Sequence, residues 1–319
     1  MESSLVTLHL NEQTDAKMLV GLYSTGSKPG SFSWRPGVLT TAVREGRWVL
    51  IEDLDRAPNE VMSTLLPLVE HGKLLIPSRG ETVEAPRSFR LFATVRTTRG
   101  MNGHENLPSL LGQRFWNLSN VKIPPPSELE QIIVGSYPLL RKYTPSIMSV
   151  YRRLCNLSPM SGAGRSTVER SITPRDVLKW CRRLQETLVA AGCKTGEEPI
   201  SETTRDWMFM DAADCFCGSL PKPDAKAALV SCIAEEMHLS QQLMEHYLKA
   251  HVPQIDEGPS SLKIGRVMLT RRKHANRIVK SKKPFASTSH SRRLLEQISM
   301  AVKLHEPVLL VGETGIGKT

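Results

Sequence analysis

The nine residues "VGETGIGKT", Val311–Thr319, constrain this sequence more than any other stretch in it. They contain Gly312-x-x-x-x-Gly317-Lys318-Thr319. That spacing suits a tight turn whose successive N–H groups wrap a phosphate, which the positive end of the following helix then faces. In such a loop Gly312, Glu313, Thr314, Gly315, Ile316 and Gly317 shape the cradle. Lys318 reaches the terminal phosphates of a nucleotide such as ATP, and Thr319 holds Mg²⁺. A buried strand must feed the loop, and "PVLLV", Pro307–Val311, is an apolar run that predicts one. A chance match on a glycine-rich turn has no reason to follow such a run.

Phosphate-loop chemistry also needs an apolar strand that ends in acids, to hold Mg²⁺ and the attacking water. One is present in "WVLIEDLDRAP", Trp48–Pro58, where Val49, Leu50 and Ile51 lead into Glu52 and Asp53. The bland reading is a buried strand that happens to end in surface acids. Order decides more than composition here. In one module the loop precedes the acidic strand, whereas here it comes about 260 residues later. Two modules are the expectation, the first without its loop and the second without the helix and acidic strand that belong beyond its loop.

The first part reads as α/β with a parallel sheet. "SLVTLHL" (Ser4–Leu10), the acidic strand and "FRLFATV" (Phe89–Val95) are strand candidates, and "NEQTDAKMLVG" reads as a turn and helix start. "NEVMSTLLPLVEHGKLLIP" predicts a helix ending near Gly72, then a hairpin. Active residues of such sheets sit at the strands' C-terminal ends, which puts Glu52, Asp53 and "TVRTT" on one edge. After Pro124-Pro125-Pro126 the character turns helical. Ser127 and Glu130 have capping-box spacing. Thr173 reads as an N-cap, with Pro174 at the first helical position and Gly192 beyond the end. Val177, Leu178, Trp180, Cys181, Leu184 and Leu188 form its apolar stripe. A further helix is expected from Asp224 to Leu248, and loop "SPMSGAGRST" is expected to be mobile. The expected organisation is therefore 1–122 α/β, 123–257 a helical lid, 258–290 a basic linker, and 291–319 the start of a second module, with a helix from Ser291 to Leu304.

A chain of 319 residues fits about two domains, and 40% hydrophobic content is enough for real cores. No run approaches the roughly 18 apolar residues of a membrane span, so no membrane partner is expected, and no leader is expected either. The six cysteines are scattered, and Cys215-x-Cys217 has the wrong spacing for zinc, so buried reduced thiols are expected. The net charge of +10 is concentrated in one place. Lys263–Arg293 holds eleven Lys and Arg and no acid, and 42 − 11 leaves 31 basic against 32 acidic residues elsewhere.

Taken in order, these residues resemble a known family. "QTDAKMLVGLY…PGSFSWRPGVLTTAVREGRWVLIEDLDRAPNEVMSTLLPLVEHGKLLIPSRGE…FRLFATVRT" is similar to the AAA+ ATPase modules of the midasin family, dynein-related giants of ribosome assembly. "ITPRDVLKWCRRL" resembles their lid and that of MoxR-like relatives. "LKIGRVML" with "EPVLLVGETGIGKT" looks like the joint between consecutive modules. The resemblance implies a parallel-sheet P-loop NTPase core with a helical lid, in a ring of six linked modules. It also implies ATP and Mg²⁺ as cofactors and neighbouring modules of the same full-length chain as partners. The further implications are a nuclear site of action (nucleolus and nucleoplasm) and the removal of assembly factors from pre-60S ribosomal particles.

Roles carry over position by position. Glu52 and Asp53 fall where the family has its Mg²⁺-side Asp and water-polarising Glu, in swapped order, so the shorter Asp53 reaches the water less well. Arg96 stands at the first sensor, where an amide is usual. Arg114 resembles the finger that reaches a neighbour's nucleotide, or is a surface arginine in an ion pair. Arg175 resembles the second sensor, which contacts the γ-phosphate. The first module therefore reads as a binding or structural site rather than a fast ATPase. Other readings stay open: a basic, non-catalytic RNA- or protein-binding module acting through Lys263–Arg293, or a MoxR-like metal-insertion chaperone. For the strip itself a solvated linker is the default, and residues after about 258 are expected to dock poorly on the rest.

Overall fold

The computed structural model describes residues 5–25, 30–96, 117–157, 172–218, 220, 222–270 and 287–312, in two compact units, Met1–Lys122 and Ile123–Thr319.

Three short strands form the centre of the first unit: β1 (Leu5–His9), β4 (Trp48–Glu52) and β7 (Arg90–Ala93), all parallel in the order β1-β4-β7. The register aligns Leu8 with Ile51, and Ile51 with Ala93. One face of β4, Val49 and Ile51, is buried against α2 (Val38–Arg44) and the rest of the apolar cluster. Helix α3 (Asn59–His71) brings Val61, Met62, Leu65 and Leu68 to that core at helical spacing and ends in a left-handed Gly72. The opposite sheet face is open, with Leu5, Trp48 and Phe92 still 53%, 41% and 46% exposed. A parallel sheet is normally covered on both faces.

Around this sheet lie α1 (Ala16–Val20) and two hairpins, β2 (Gly21–Thr25) with β3 (Phe32–Pro36) and β5 (Lys73–Ile76) with β6 (Glu81–Glu84). Asp15 caps α1, accepting the Lys17 N–H at 2.8 Å. Gly37 starts α2 against the Leu19 carbonyl, and a Cβ there would lie 2.1 Å from that oxygen. The hairpins share one stack, in which the guanidinium groups of Arg44 and Arg79 lie 5.6 and 4.9 Å from the Trp34 ring, with Glu81 paired to both.

The second unit is a helical core followed by a small sheet and one more helix. The helices are α4 (Pro126–Ser136), α5 (Thr144–Leu157), α6 (Pro174–Ala190), α7 (Glu202–Cys217), α8 (Pro223–Glu236) and α9 (Gln241–Glu245), which runs on into a π turn, His246–Ala250. The expected caps of α6 are present. Thr173 and Asp176 form a capping box, the Thr173 N–H donating to Asp176 Oδ2 at 2.9 Å, and Gly192 takes φ +85° past the end. Val177, Trp180, Cys181, Leu184 and Leu188 are buried and Leu178 is partly so. Trp180 meets Phe216 edge-on at 5.5 Å. Cys181, Cys193, Cys215, Cys217 and Cys232 are buried thiols; Cys155 is half-buried, and burial pushes Cys181 and Cys215 up to about 12.

Five expectations are corrected. Ser127 does not cap α4: Pro126 already occupies the first helical position, and Glu130 pairs with Arg152 at 2.9 Å instead. No single helix spans Asp224–Leu248. The chain leaves α8 at Glu236, His238 adopts φ +53°, and Ser240 caps α9 through the Leu243 N–H. Pro307–Val311 joins no strand ladder among the described residues and stays exposed, Leu309 by 85%; an apolar run becomes a strand only beside another. Nor do the described residues beyond 258 dock poorly. Strands β8 (Ile255–Glu257), β9 (Ser261–Ile264) and β10 (Val267–Thr270) form an antiparallel sheet packed on α10 (Ser289–Lys303), and charges pin this assembly to the lid helices. Helix α10 starts earlier than expected because Thr288 is its cap and Ser291 its third residue. The loop at 158–171 lies outside the described residues.

Candidate functional site

The C-terminal edge of the parallel sheet gathers three of the expected residues. Glu52 is the last residue of β4, and its register partner on β1 is His9. Both side chains fall on the open face, where Glu52 Oε2 lies 2.6 Å from His9 Nδ1. The next residue, Asp53, turns the chain with φ 56° and ψ 45°. This left-handed backbone is one that Asp tolerates better than most residues. Its N–H donates to Thr94 Oγ1 at 3.3 Å, and the Leu54 N–H donates to the Thr94 carbonyl at 3.0 Å. The chain leaving β7 is thus tied back across the acidic turn and delivers Arg96 to it.

Arg96 closes on Asp53 as a two-pronged fork. Nε donates to Oδ1 at 2.8 Å and NH2 to Oδ2 at 2.5 Å, while the Arg96 main-chain N–H donates to Asp55 Oδ1 at 3.2 Å. Planar two-point pairing of this kind is the strong form of a carboxylate–arginine contact. The hydrogen bond from Arg96 holds the Asp53 carboxyl below the usual range, with the guanidinium charge adding to it and partial desolvation opposing. The same bond raises Arg96.

That arrangement decides what the edge can hold. Mg²⁺ and a polarised water both need free carboxylate lone pairs. Both Asp53 oxygens accept from Arg96, and Glu52 Oε2 lies against His9 Nδ1. The Arg96 guanidinium already balances the Asp53 charge, so a divalent ion at this edge would compete with it.

The other expected residues are placed apart or not described. Arg175 sits exposed in the first turn of α6, in the second unit. Gly312 is exposed at the end of the described residues, while Arg114 and Glu313–Thr319, including Lys318 and Thr319, lie outside them. The sequence reading placed Thr94 at this edge within "TVRTT" but missed His9 and Asp55. It also missed a buried charge cluster in the second unit. There Arg266, read as part of the solvated strip, is 2% exposed among Asp211, Asp214 and Glu296. Two acids inside the apolar "WMFMDAADCFC" were the available signal, since buried carboxylates demand partners. Among the described residues no group of His, Cys, Asp and Glu could hold a metal ion.

Comparison with known proteins gives two family matches that divide the chain as its chemistry does. The AAA domain of the dynein-related subfamily matches residues 1–115, and the Midasin AAA lid domain matches residues 128–240. Midasin from Dictyostelium discoideum is 31% identical over 99% of the chain, and Midasin from Giardia intestinalis 27% identical over 98%. The chain spans about 6% of the length of each. Protein NorQ from Paracoccus denitrificans is 30% identical over 44% of the chain and 51% of its own length.

Proposed function

The chain belongs to the dynein-related AAA family and carries a lid of the midasin type, and from that premise we propose that it is a coupling module of a multi-module AAA ring rather than a site of rapid hydrolysis. The observation that carries this reading is the Arg96–Asp53 fork, which commits the carboxylate that would have to polarise water. In the proposed arrangement Arg175 reaches a nucleotide's γ-phosphate and Arg114 serves a neighbouring module. Gly312–Thr319 opens the next site, with Lys318 on the phosphates and Thr319 on Mg²⁺. The ring as a whole is proposed to use ATP to remove assembly factors from pre-60S particles in the nucleolus and nucleoplasm. The similarity to two midasins along almost the whole chain supports this reading. The MoxR-like alternative has the shorter NorQ match behind it.

Steady-state ATP hydrolysis tests the proposal directly. The 319-residue chain should hydrolyse ATP no faster than its Lys318→Ala variant, because the Asp53 carboxylate is held by Arg96 and not free to polarise water. Turnover well above that control would overturn the reading.

RNA contact through Lys263–Arg293 is a smaller proposal, narrowed by the fold. Arg266 is buried, and Arg293 donates to the carbonyls of His251 and Leu248, so both are withdrawn from the strip. The remaining cations should bind RNA with little sequence preference and a steep salt dependence. Replacing Arg271, Arg272 and Lys273 by Ala should flatten the salt slope by about three charges' worth. An unchanged slope in a filter-binding titration would place RNA contact elsewhere.

A further inference from the structure

The second unit contains two apolar cores of unequal size. The larger runs through α4–α9 and includes Trp180, Phe209 and Phe216. The smaller is Val267, Met300 and Leu304, with Leu269 beside them, and it joins β10 to α10. Charges and hydrogen bonds join these two bodies at two places.

The first of these joints centres on Arg266, in the β9–β10 turn. Its NH2 lies 3.2 Å from Asp211 Oδ1 and also meets Asp214 Oδ2, both acids on α7. Its NH1 lies 3.1 Å from Glu296 Oε2 on α10, and its main-chain N–H donates to Glu296 Oε1 at 2.9 Å. His251 Nε2 lies 2.9 Å from Glu296 Oε2, and Gln297 donates to Asp214 at 2.7 Å. Thr187 Oγ1 donates to Asp211 Oδ2 at 2.8 Å, and the Tyr247 hydroxyl to Asp214 Oδ1 at 3.0 Å. Gly265 makes room for this: it takes φ +53°, and a Cβ there would lie 2.0 Å from Glu296 Oε1. A second joint lies just beyond α10. Glu306 accepts from Arg183 of α6 at 2.6 and 3.3 Å, with Lys179 at 3.6 Å, and the Glu306 and Arg183 side chains are nearly buried.

We propose that Arg266 and Glu306 form a two-point latch by which β8–β10 and α10 are held to the lid helices as one releasable body. A buried ionic joint resists partial opening, because a partner displaced by an ångström or two leaves an uncompensated charge. The latch therefore has two states, closed or released. Glu306 is six residues before Gly312, so a closed latch fixes where the phosphate-loop segment leaves α6. Helix α6 also bears Arg175, roughly 12 Å along the axis from Arg183. If Arg175 reads a nucleotide, one rod carries that signal to the foot of the next loop. The latch itself does not depend on that role.

Hydrogen-exchange mass spectrometry on the 319-residue chain tests it without any nucleotide. Glu306→Gln should speed exchange of 289–306 by about tenfold or more while α6 and α7 keep their rates. Arg266→Met should free β9, β10 and α10 together, and Glu306→Gln, a near-isosteric change, keeps the test alive if that variant does not fold. An even rise across α6, α7 and α10 would mean a single cooperative core. Unchanged rates would mean that Glu306 holds nothing. Either result overturns the latch. An ATPase result bears only on the proposed function, so the two can fail separately.

Discussion

Arg266→Met should cost about 3–5 kcal/mol, the loss expected when one partner of a buried charge set is removed and the others stay behind. The size comes from the stoichiometry. One guanidinium faces Asp211, Asp214 and Glu296, whose side chains are at most 5% exposed. Methionine keeps the apolar stem of the side chain but offers none of its donors, so three carboxylates would remain without their common cation. Denaturant titration followed by circular dichroism measures the loss. Adding Asp211→Asn and Asp214→Asn to the variant should recover part of it, because the uncompensated charges are then gone. A loss below about 1 kcal/mol would mean that water reaches the cluster and screens it as at a surface.

Acid should release the same joints, in an order set by their environments. Burial pushes Glu306 and Asp214 upward, but Arg183 and Arg266 respectively outweigh it, and both carboxyls titrate below their ordinary values. A depressed carboxyl contributes stability that is complete above its unfolded pKa, about 4, and is lost as pH falls through the folded value. Asp211 behaves oppositely, since burial outweighs Arg266 and raises it. Its contribution is greatest at low pH and declines as pH rises through the raised value. Stability should therefore be level or slightly improved on going from pH 7 toward 5, then fall steeply below about 4 as Glu306 and Asp214 take up protons. Protonated Glu306 leaves Arg183 buried without its charge partner, a cost approaching about 3–5 kcal/mol. Urea midpoints measured across this range check the shape. Asp211→Asn should remove the shallow limb and leave the steep one, and a monotonic rise toward acid would contradict both assignments.

Much of the fold was legible because local chemistry and tertiary structure agreed. Short apolar runs marked the parallel strands, one of them ending in acids, and Thr173, Pro174 and Gly192 bracketed α6 by their own backbone preferences. The failures have physical causes. "MHLS" contains neither glycine nor proline, so nothing local announces the break between α8 and α9, which His238 makes with a left-handed backbone. Ser127 lost its capping role because the proline before it was already inside the helix. The composition of Lys263–Arg293 described a charged strip but not depth, and only the fold shows that Arg266 faces inward. The acidic edge was half legible: the swapped pair and the cation at position 96 were visible, whereas the fork that joins them needed the two loops side by side.

The left-handed turn at Asp53 limits which side chains position 53 can hold. Glutamate at position 53 would lengthen the reach toward water, yet side chains without the short polar group of Asp or Asn lose about 1 kcal/mol or more in that conformation. Exchanging Arg96 for an amide would free the carboxylate but strand an aspartate too short for the task. Positions 53 and 96 are therefore coupled: the backbone favours a short acid at one, and that acid's charge suits a cation at the other.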